Sequence, residues 1–387
     1  MSDEPAAPAV AIVLPPREGF SPGGTGAVGL IAHRLAIAPP DHGEPGFRAS
    51  VIGGSQKGKL FGDVPFLPAK PVPWLPFNPN RRYAAGVARL LRRVRPALVE
   101  VHNRAEIALG LAFWLRKTPV SLFLHNDPHG MGGLRTPRER RKVLRRLARV
   151  VTVSAFVRDR MLEQVAAPLP GPEPFVLPNC IDLAALPPPL PPEAREPMIL
   201  FVGRLVAEKG PDTFIAACAV ALRDLPGWRA EMIGADRFRV GAPDSRFIAA
   251  LRPEAAASGV RMLGYLPHAA VLEALARAAI LVMPSRWQEP FGLTALEGLA
   301  LGAALVCSPR GGLPEVGGDA VCYVDPDDPR AVAEVIVALA RNRGRRTALA
   351  QAGIERARLF DLRPTGARLH SLRSQIVENW AARPARF

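Results

Sequence analysis

Glu289 and Glu297 stand eight positions apart in the run EPFGLTALEGLALG, on either side of Gly292. A carboxylate accepts hydrogen bonds at two oxygens, so it can hold two vicinal hydroxyls of a sugar or a ribose. Leu293 and Thr294, just after the glycine turn, open a helical run whose first amides have no partner inside the helix. Those amides form an anion site. Two carboxylates flanking an anion cradle suit a ligand with a phosphate in the middle and a sugar at either side. Leu296, Leu299 and Ala300 supply the apolar side that would seat the helix.

A second group lies upstream in FVGRLVAEKGPDTFIAAC, which passes from a buried strand through a glycine turn into a helix. Arg204 and Lys209 fall on that connection, beyond the carboxyl end of the strand, where open α/β sheets bind ligands. Arg offers a bidentate fork and Lys a point charge, a pairing suited to a diphosphate. His125 follows the strand VSLFL directly, and His102 and Asn103 follow ALVEV, so all three sit at comparable edges. A packed histidine and a ligand-contacting one are both open for His125. Asp127 and His129 are weaker candidates of the same region.

Placing such groups takes parallel sheets. Short apolar runs recur at 10–14, 97–101, 120–124, 150–154 and 175–178, then at 198–203, 229–234, 280–284 and 304–308, with helical patterns between them. Continuous apolar strands alternating with helices mark parallel sheets covered on both faces. At 387 residues the chain exceeds one typical core. The proline-dense stretch 166–197 separates two such α/β blocks, giving expected domains 1–190 and 191–360, with a final helix in 361–387 packing back on the first.

Composition narrows the partners. The formal charge is +15, and residues 81–149 hold 17 Lys or Arg against 4 Asp or Glu. An anionic partner is therefore expected. The run TPRERRKVLRRLARV has Thr136, Pro137 and Glu139 placed for a capping box, with Arg138, Arg141, Arg145 and Arg149 on a solvent-facing stripe. A solvated charge face and an anionic-surface contact are equally open there. Residues 61–80 read as a proline-rich loop with Phe66, Trp74 and Phe77 exposed, either packed on its own domain or resting on acceptor or lipid. Four cysteines without CxxC spacing indicate neither a disulfide framework nor a zinc site, and fit a reducing cytoplasm. The first residues carry acids where a secretory leader carries bases, and no apolar run approaches the roughly 18 residues of a membrane span.

Three familiar patterns carry less. GTGAVG at 24–29 matches GxGxxG, but nine residues separate it from the preceding strand, and Asp41 and Glu44 lie in a loop, so a nicotinamide fingerprint is not met. What survives is a glycine-rich loop entering a helix, whose amides can approach a phosphate. Asp325-Pro-Asp327 resembles a metal-holding DxD, yet Asp327 or Asp328 precedes Pro329 and a helical run and reads better as its cap. Nucleic-acid binding rests on charge alone, without aromatic-basic interleaving.

With FVGRLVAEKG, PNCID, GYLPH and the E-x7-E pattern standing in this order, the chain resembles the retaining glycosyltransferases of the GT-B fold, family GT4, among them bacterial lipopolysaccharide and exopolysaccharide enzymes. The likeness is stronger in the second half. It implies two Rossmann-like domains facing each other across a cleft. It also implies that Arg204 and Lys209 hold the donor diphosphate, Glu297 the nucleotide ribose and Glu289 hydroxyls of the transferred sugar. The amides of Phe291, Gly292, Leu293 and Thr294 would line the cradle. Gly23 and Gly24 would approach the donor from the other domain, and His125 matches a histidine near the donor sugar. Cys180 in place of the usual glycine, and Trp287-Gln288 before Glu289, depart from the pattern.

The expected activity is transfer of a hexose from a nucleotide diphosphate sugar to a saccharide or lipid-linked saccharide with retention. A UDP-sugar is favoured, with GDP-mannose as the alternative, and no metal or other cofactor is expected. Contact with the inner face of the plasma membrane is expected, and nucleic acid is not. The competing readings are a basic nucleic-acid binder and a GT-B epimerase or phosphorylase.

Overall fold

The computed structural model describes residues 7–383 except 23–24, 44–45, 57, 77 and 237–243. Gly23, Gly24 and Phe77 therefore lie outside the described residues. The chain forms two compact units, Met1–Cys180 with Leu362–Phe387, and Ile181–Asp361.

The first unit is built on seven strands: β1 (Ala9–Val13), β2 (Arg48–Gly53), β3 (Phe66–Pro68), β4 (Leu98–His102), β5 (Val120–Leu124), β6 (Arg149–Thr152) and β7 (Phe175–Val176). Their order is β3-β2-β1-β4-β5-β6-β7, and every neighbouring pair is parallel. β4 and β5 are buried along their whole length, as strands covered by helices on both faces must be.

β4 nevertheless carries Glu100, 1% exposed, and Arg373 of the helix Leu362–Ala381 meets it with Nε and Nη2, both at 2.8 Å. This buried two-point pair fastens the last helix to the first unit. His370 adds a second tie: its ring lies 2.9 Å from the Ala38 carbonyl and accepts from the Phe47 amide at 3.1 Å.

The second unit has β8 (Glu196–Val202), β9 (Arg229–Ile233), β10 (Val260–Gly264), β11 (Ala278–Met283), β12 (Ala304–Cys307) and β13 (Cys322–Tyr323). The order β10-β9-β8-β11-β12-β13 is again wholly parallel. On one face of that sheet a core cluster gathers Ile199, Phe201, Phe214, Ile280 and Ile336. Leu296, Leu299 and Ala300 are buried as the sequence requires.

Four expectations need correction. The second unit begins at Ile181, inside the proline-dense stretch but earlier than the expected residue 191, because the Ile181 amide donates to the Phe360 carbonyl and Leu183 N to Asp361 Oδ1. β2, β3 and β10 are strands that the apolar pattern did not reveal; β3 and β10 are edges, where half-covered strands tolerate Pro68 and Arg261. Phe66 is not an exposed loop residue but stacks on the buried Phe20 at 5.6 Å, whereas Trp74 is 74% exposed.

The fourth correction concerns the basic helix Pro137–Arg146, which starts with the expected capping box between Thr136 and Glu139. Its expected arginine stripe is not wholly solvent-facing. Arg141 donates to the Ala166 and Pro168 carbonyls and Arg149 to the Glu173 carbonyl, so two of the four arginines hold the segment 166–173.

Candidate functional site

In the second unit, β8 and β11 are neighbours, so the loops leaving their carboxyl ends emerge side by side. Lys209, in the loop after β8, brings Nζ onto Oε1 of Glu289, in the loop after β11. Ser285 Oγ donates to the same oxygen at 2.9 Å. Glu289 is only 6% exposed, and this cation and hydroxyl account for its charge at that depth. Arg204 lies exposed on the same connection as Lys209, and its guanidinium has no partner among the described residues.

Gly292 precedes the helix Leu293–Ala300 at φ 101°, the left-handed region, and a Cβ there would meet Leu313 Cδ2 at 2.6 Å. Only glycine makes this turn without strain. No side chain caps the helix and no acid occupies its first turn, so among the described residues the amides of Leu293 and Thr294 are not taken up by a carboxylate. Phe291 is buried, edge-on to Phe360 at 5.6 Å, and fixes the loop from below. Glu297, one turn inside the helix, accepts from or shares a proton with His268 Nε2 at 2.8 Å.

Two contributors escape the sequence reading. His268 belongs to GYLPH, a segment noticed for its position and not for its ring. The pair Gly311-Gly312 follows β12, and Gly312 N donates to the Glu289 carbonyl at 2.6 Å while Gly311 N donates to Gln288 Oε1 at 2.9 Å. A Cβ on Gly311 would fall 2.2 Å from the Glu289 carbonyl oxygen. Adjacent glycines in the loop after an apolar strand were the available signal. Gln288, one of the departures from the family pattern, thus clamps the loop that carries Glu289.

The DxD-like residues are otherwise engaged. Asp328 caps the helix Pro329–Arg341, Asp327 pairs with Arg286 and Arg310 at 2.8 and 2.7 Å, and Asp325 accepts from the Asp327 amide. The two arginines hold the Asp327 carboxyl below its usual range.

In the first unit, His125 follows β5 and His102 ends β4, and their rings meet, Nε2 of His125 to Nδ1 of His102, at 2.9 Å. Asn103, at φ 54°, accepts from the His125 amide at 2.8 Å. Burial pushes the His125 imidazole down to about 4, with Asn179 opposing the shift. Burial, then His125, then Arg373 push the His102 imidazole well below its ordinary value. Both rings are therefore neutral at pH 7. Among the described residues, His102 Nε2, His125 Nδ1 and Asn179 Oδ1 are buried without a hydrogen-bond partner. Asp127 and His129 are structural: Asp127 caps the turn Pro128–Gly130 and takes Arg160 Nε at 3.1 Å, and the His129 ring meets the Arg160 carbonyl at 2.9 Å.

The glycine-rich loop is also otherwise engaged where it is described. Glu18 Oε1 accepts from Gly29 N at 3.1 Å in the first turn of the helix Ala27–Ile37, so the chain's own carboxylate occupies an amide expected to face phosphate. Burial raises the Glu18 carboxyl, with the amides of Gly29 and Gly26 and the Arg104 charge opposing. Cys180 is buried, and its carbonyl accepts from Arg34 at 2.8 Å.

Residues 185–356 match the family described as Glycosyl transferases group 1, and residues 37–185 match Glycosyltransferase Family 4. Over 96% of this chain and 100% of the other, the fold matches a sucrose-phosphate synthase from Thermosynechococcus elongatus at TM-score 0.76 and 18% identity. The fold is that of the GT-B glycosyltransferases. A second GT-B structure, Anabaena Alr3699/HepE in complex with UDP and glucose, aligns at TM-score 0.70 and 18% identity over 97% of this chain and 100% of that one. Among curated relatives, a glycogen synthase of Mycobacterium tuberculosis is 36% identical over 43% of this chain and 38% of its own length. A D-inositol 3-phosphate glycosyltransferase of Segniliparus rotundus is 30% identical over 50% of this chain and 43% of its own. The chain thus spans less than half the length of these relatives. Fold alone does not specify a reaction.

Proposed function

We propose that the chain transfers a hexose from a nucleotide diphosphate sugar to a saccharide hydroxyl, with the anomeric configuration retained. The observation that carries this reading is the second unit's loop edge: a buried carboxylate held by Lys209 and Ser285, beside an uncapped helix start, with Glu297 one turn inside. The cradle would take the diphosphate, Glu297 the ribose, and Glu289 the hydroxyls of the transferred sugar. As the bond from the anomeric carbon to the diphosphate breaks, charge gathers on the leaving oxygens. Arg204, Lys209 and the amides of Phe291 to Thr294 would stabilise it.

A UDP-sugar is the favoured donor, supported by the HepE complex with UDP and glucose, and GDP-mannose is the alternative. The proposed acceptor is a saccharide or lipid-linked saccharide of lipopolysaccharide or exopolysaccharide synthesis, met at the cytoplasmic face of the plasma membrane. Among the described residues, no helix is long and apolar enough to cross a membrane. The basic first unit supports contact with an anionic surface.

A panel of UDP-, GDP- and ADP-sugars, scored for thermal stabilisation and slow donor hydrolysis, tests the reading; no response to any of them sinks it. The charge-stabilising groups belong to the chain, so transfer is expected to survive EDTA. Loss restored by Mg²⁺ or Mn²⁺ would refute that scheme. Glu289→Ala should mainly lower transfer and sugar discrimination, and Glu297→Ala mainly nucleotide affinity. Equal loss of free-nucleotide affinity in both would contradict the division of roles.

A further inference from the structure

The helix Ala105–Trp114 is apolar on more than one side. Ile107, Ala108 and Leu111 are fully buried against the sheet, while Leu109 and Ala112 are half-buried and Phe113 is 61% exposed on the far side. A helix apolar all round belongs in a core or against a non-aqueous phase. Its open side floors a groove of about 1020 Å³ within the first unit.

The rim of that groove is cationic. Seven Lys or Arg side chains line it against two carboxylates, Glu106 and Glu139. Both carboxylates are engaged: Glu139 accepts from the Thr136 amide at 2.9 Å and Glu106 from Asn80 at 2.6 Å. Lys142, Arg145 and Arg146 are exposed and have no ion-pair partner among the described residues. Arg145 belongs to the expected arginine stripe, whereas Lys142 and Arg146 extend the exposed charge beyond it.

Aromatic rings stand at the same rim. Trp380 lines the groove beneath Arg383, whose guanidinium lies 4.3 Å from the ring centre, and Arg116 lies 5.9 Å from the ring of Phe113. Trp74, 74% exposed, does not line the groove; it projects from the loop leading to the helix Pro79–Val94, a loop held by Arg82 Nε on the Leu75 carbonyl at 2.9 Å and by Asn78 on Glu106 at 3.3 Å.

The geometry assigns this groove to the surface of an anionic phospholipid leaflet: Phe113 and the apolar floor enter the headgroup boundary, and Lys142, Arg145 and Arg146 meet the lipid phosphates. An exposed Phe113 and a half-buried Trp380 beside the exposed Lys142, Arg145 and Arg146 fit that phase, since tryptophans favour the interfacial level and basic side chains follow its surface potential. Long basic stems can lie along acyl chains while their heads stay in water. The inference rests on the reading that the first unit meets an anionic surface, and not on glycosyl transfer.

Flotation of the full chain with phosphatidylglycerol-containing vesicles, against vesicles of phosphatidylcholine alone, tests it. Binding should require the anionic lipid and weaken with salt. The triple change Lys142→Ser, Arg145→Ser, Arg146→Ser should lower partitioning about a hundredfold, at about fivefold per charge. Phe113→Ser should lower it about tenfold, roughly the share of one aromatic anchor. A control of equal charge outside the groove, Arg89→Ser, Arg92→Ser, Arg93→Ser, should lose far less. Absence of binding to anionic vesicles overturns the assignment. So does equal loss in the two triples, or displacement of vesicles by duplex DNA acting through the groove residues. Thermal stabilisation by UDP should be the same in all variants. Vesicle binding without a response to any nucleotide sugar would refute the transfer reading and leave the groove assignment standing.

Discussion

The two sheets end in chemically opposite edges. Beyond β4, β5 and β7 the polar groups are a pair of neutral imidazoles and two carboxamides, sealed from water and partly unpartnered. Beyond β8 and β11 they are carboxylates, each with a basic group against it: Lys209 on Glu289, His268 on Glu297. Desolvation explains the contrast. A buried group without a counter-charge survives only in its neutral form, whereas a paired one can remain ionised. The first edge can thus exchange hydrogen bonds with hydroxyls but cannot attract a diphosphate, while the second has cations that can leave a carboxylate for a phosphate.

The largest expected effect tests what holds the first edge in place. Glu100 sits in β4 two residues before His102, and its partner Arg373 is 0% exposed. Arg373→Met leaves a buried carboxylate without its cation and should cost about 3–5 kcal/mol. Urea denaturation of the full chain measures it; a loss under 1 kcal/mol would mean that Glu100 finds water or another donor.

Next in size is the acid response. The His125 pKa lies near 4 in the fold against an ordinary 6.5, so as pH falls the unfolded chain takes up the proton first. The contribution is intact above pH 6.5 and is lost progressively down to about 4, reaching roughly 3 kcal/mol. His125→Gln should flatten this limb in a series of urea midpoints. Direct titration of the ring by NMR near 6.5 would contradict the neutral edge.

Most of the fold was legible because buried parallel strands read as continuous apolar runs, as in 120–124 and 280–284. The edges β3 and β10 were hidden, since a strand covered on fewer sides tolerates Pro68 or Arg261 and loses the pattern. At the site, Glu289, Glu297 and Lys209 could be chosen by type and by their place after strands. Their partners could not be: Lys209 and Glu289 are 80 positions apart, and His268 and Glu297 are 29 apart. Only strand order brings them together. Arginine destinations were equally hidden, because a side chain that long reaches carbonyls such as Ala166 or Glu173 by paths that helical periodicity does not describe.

The charged edge can be broken at its cation. Lys209→Met removes one phosphate contact and leaves Glu289 with Ser285 alone, and should weaken UDP binding by about 2 kcal/mol, near thirtyfold. Calorimetric titration with UDP reads the loss. Affinity within threefold of the original would mean that Lys209 serves Glu289 and not the ligand.

The smallest effect separates the two carboxylates of the second edge. His268 opens the helix His268–Arg277 and is partly exposed, so its hold on Glu297 is made beside water and worth less than the Lys209 contact. If Glu297 binds the ribose, His268 acts by orienting the carboxylate. His268→Ala should then weaken UDP by about 1 kcal/mol, near fivefold, while uracil-free pyrophosphate binds as before. His268→Gln, which keeps a donor at similar reach, should recover most of the loss. Equal weakening of UDP and pyrophosphate would instead place His268 in the phosphate cradle, and the separation between a ribose carboxylate and a sugar carboxylate would no longer hold.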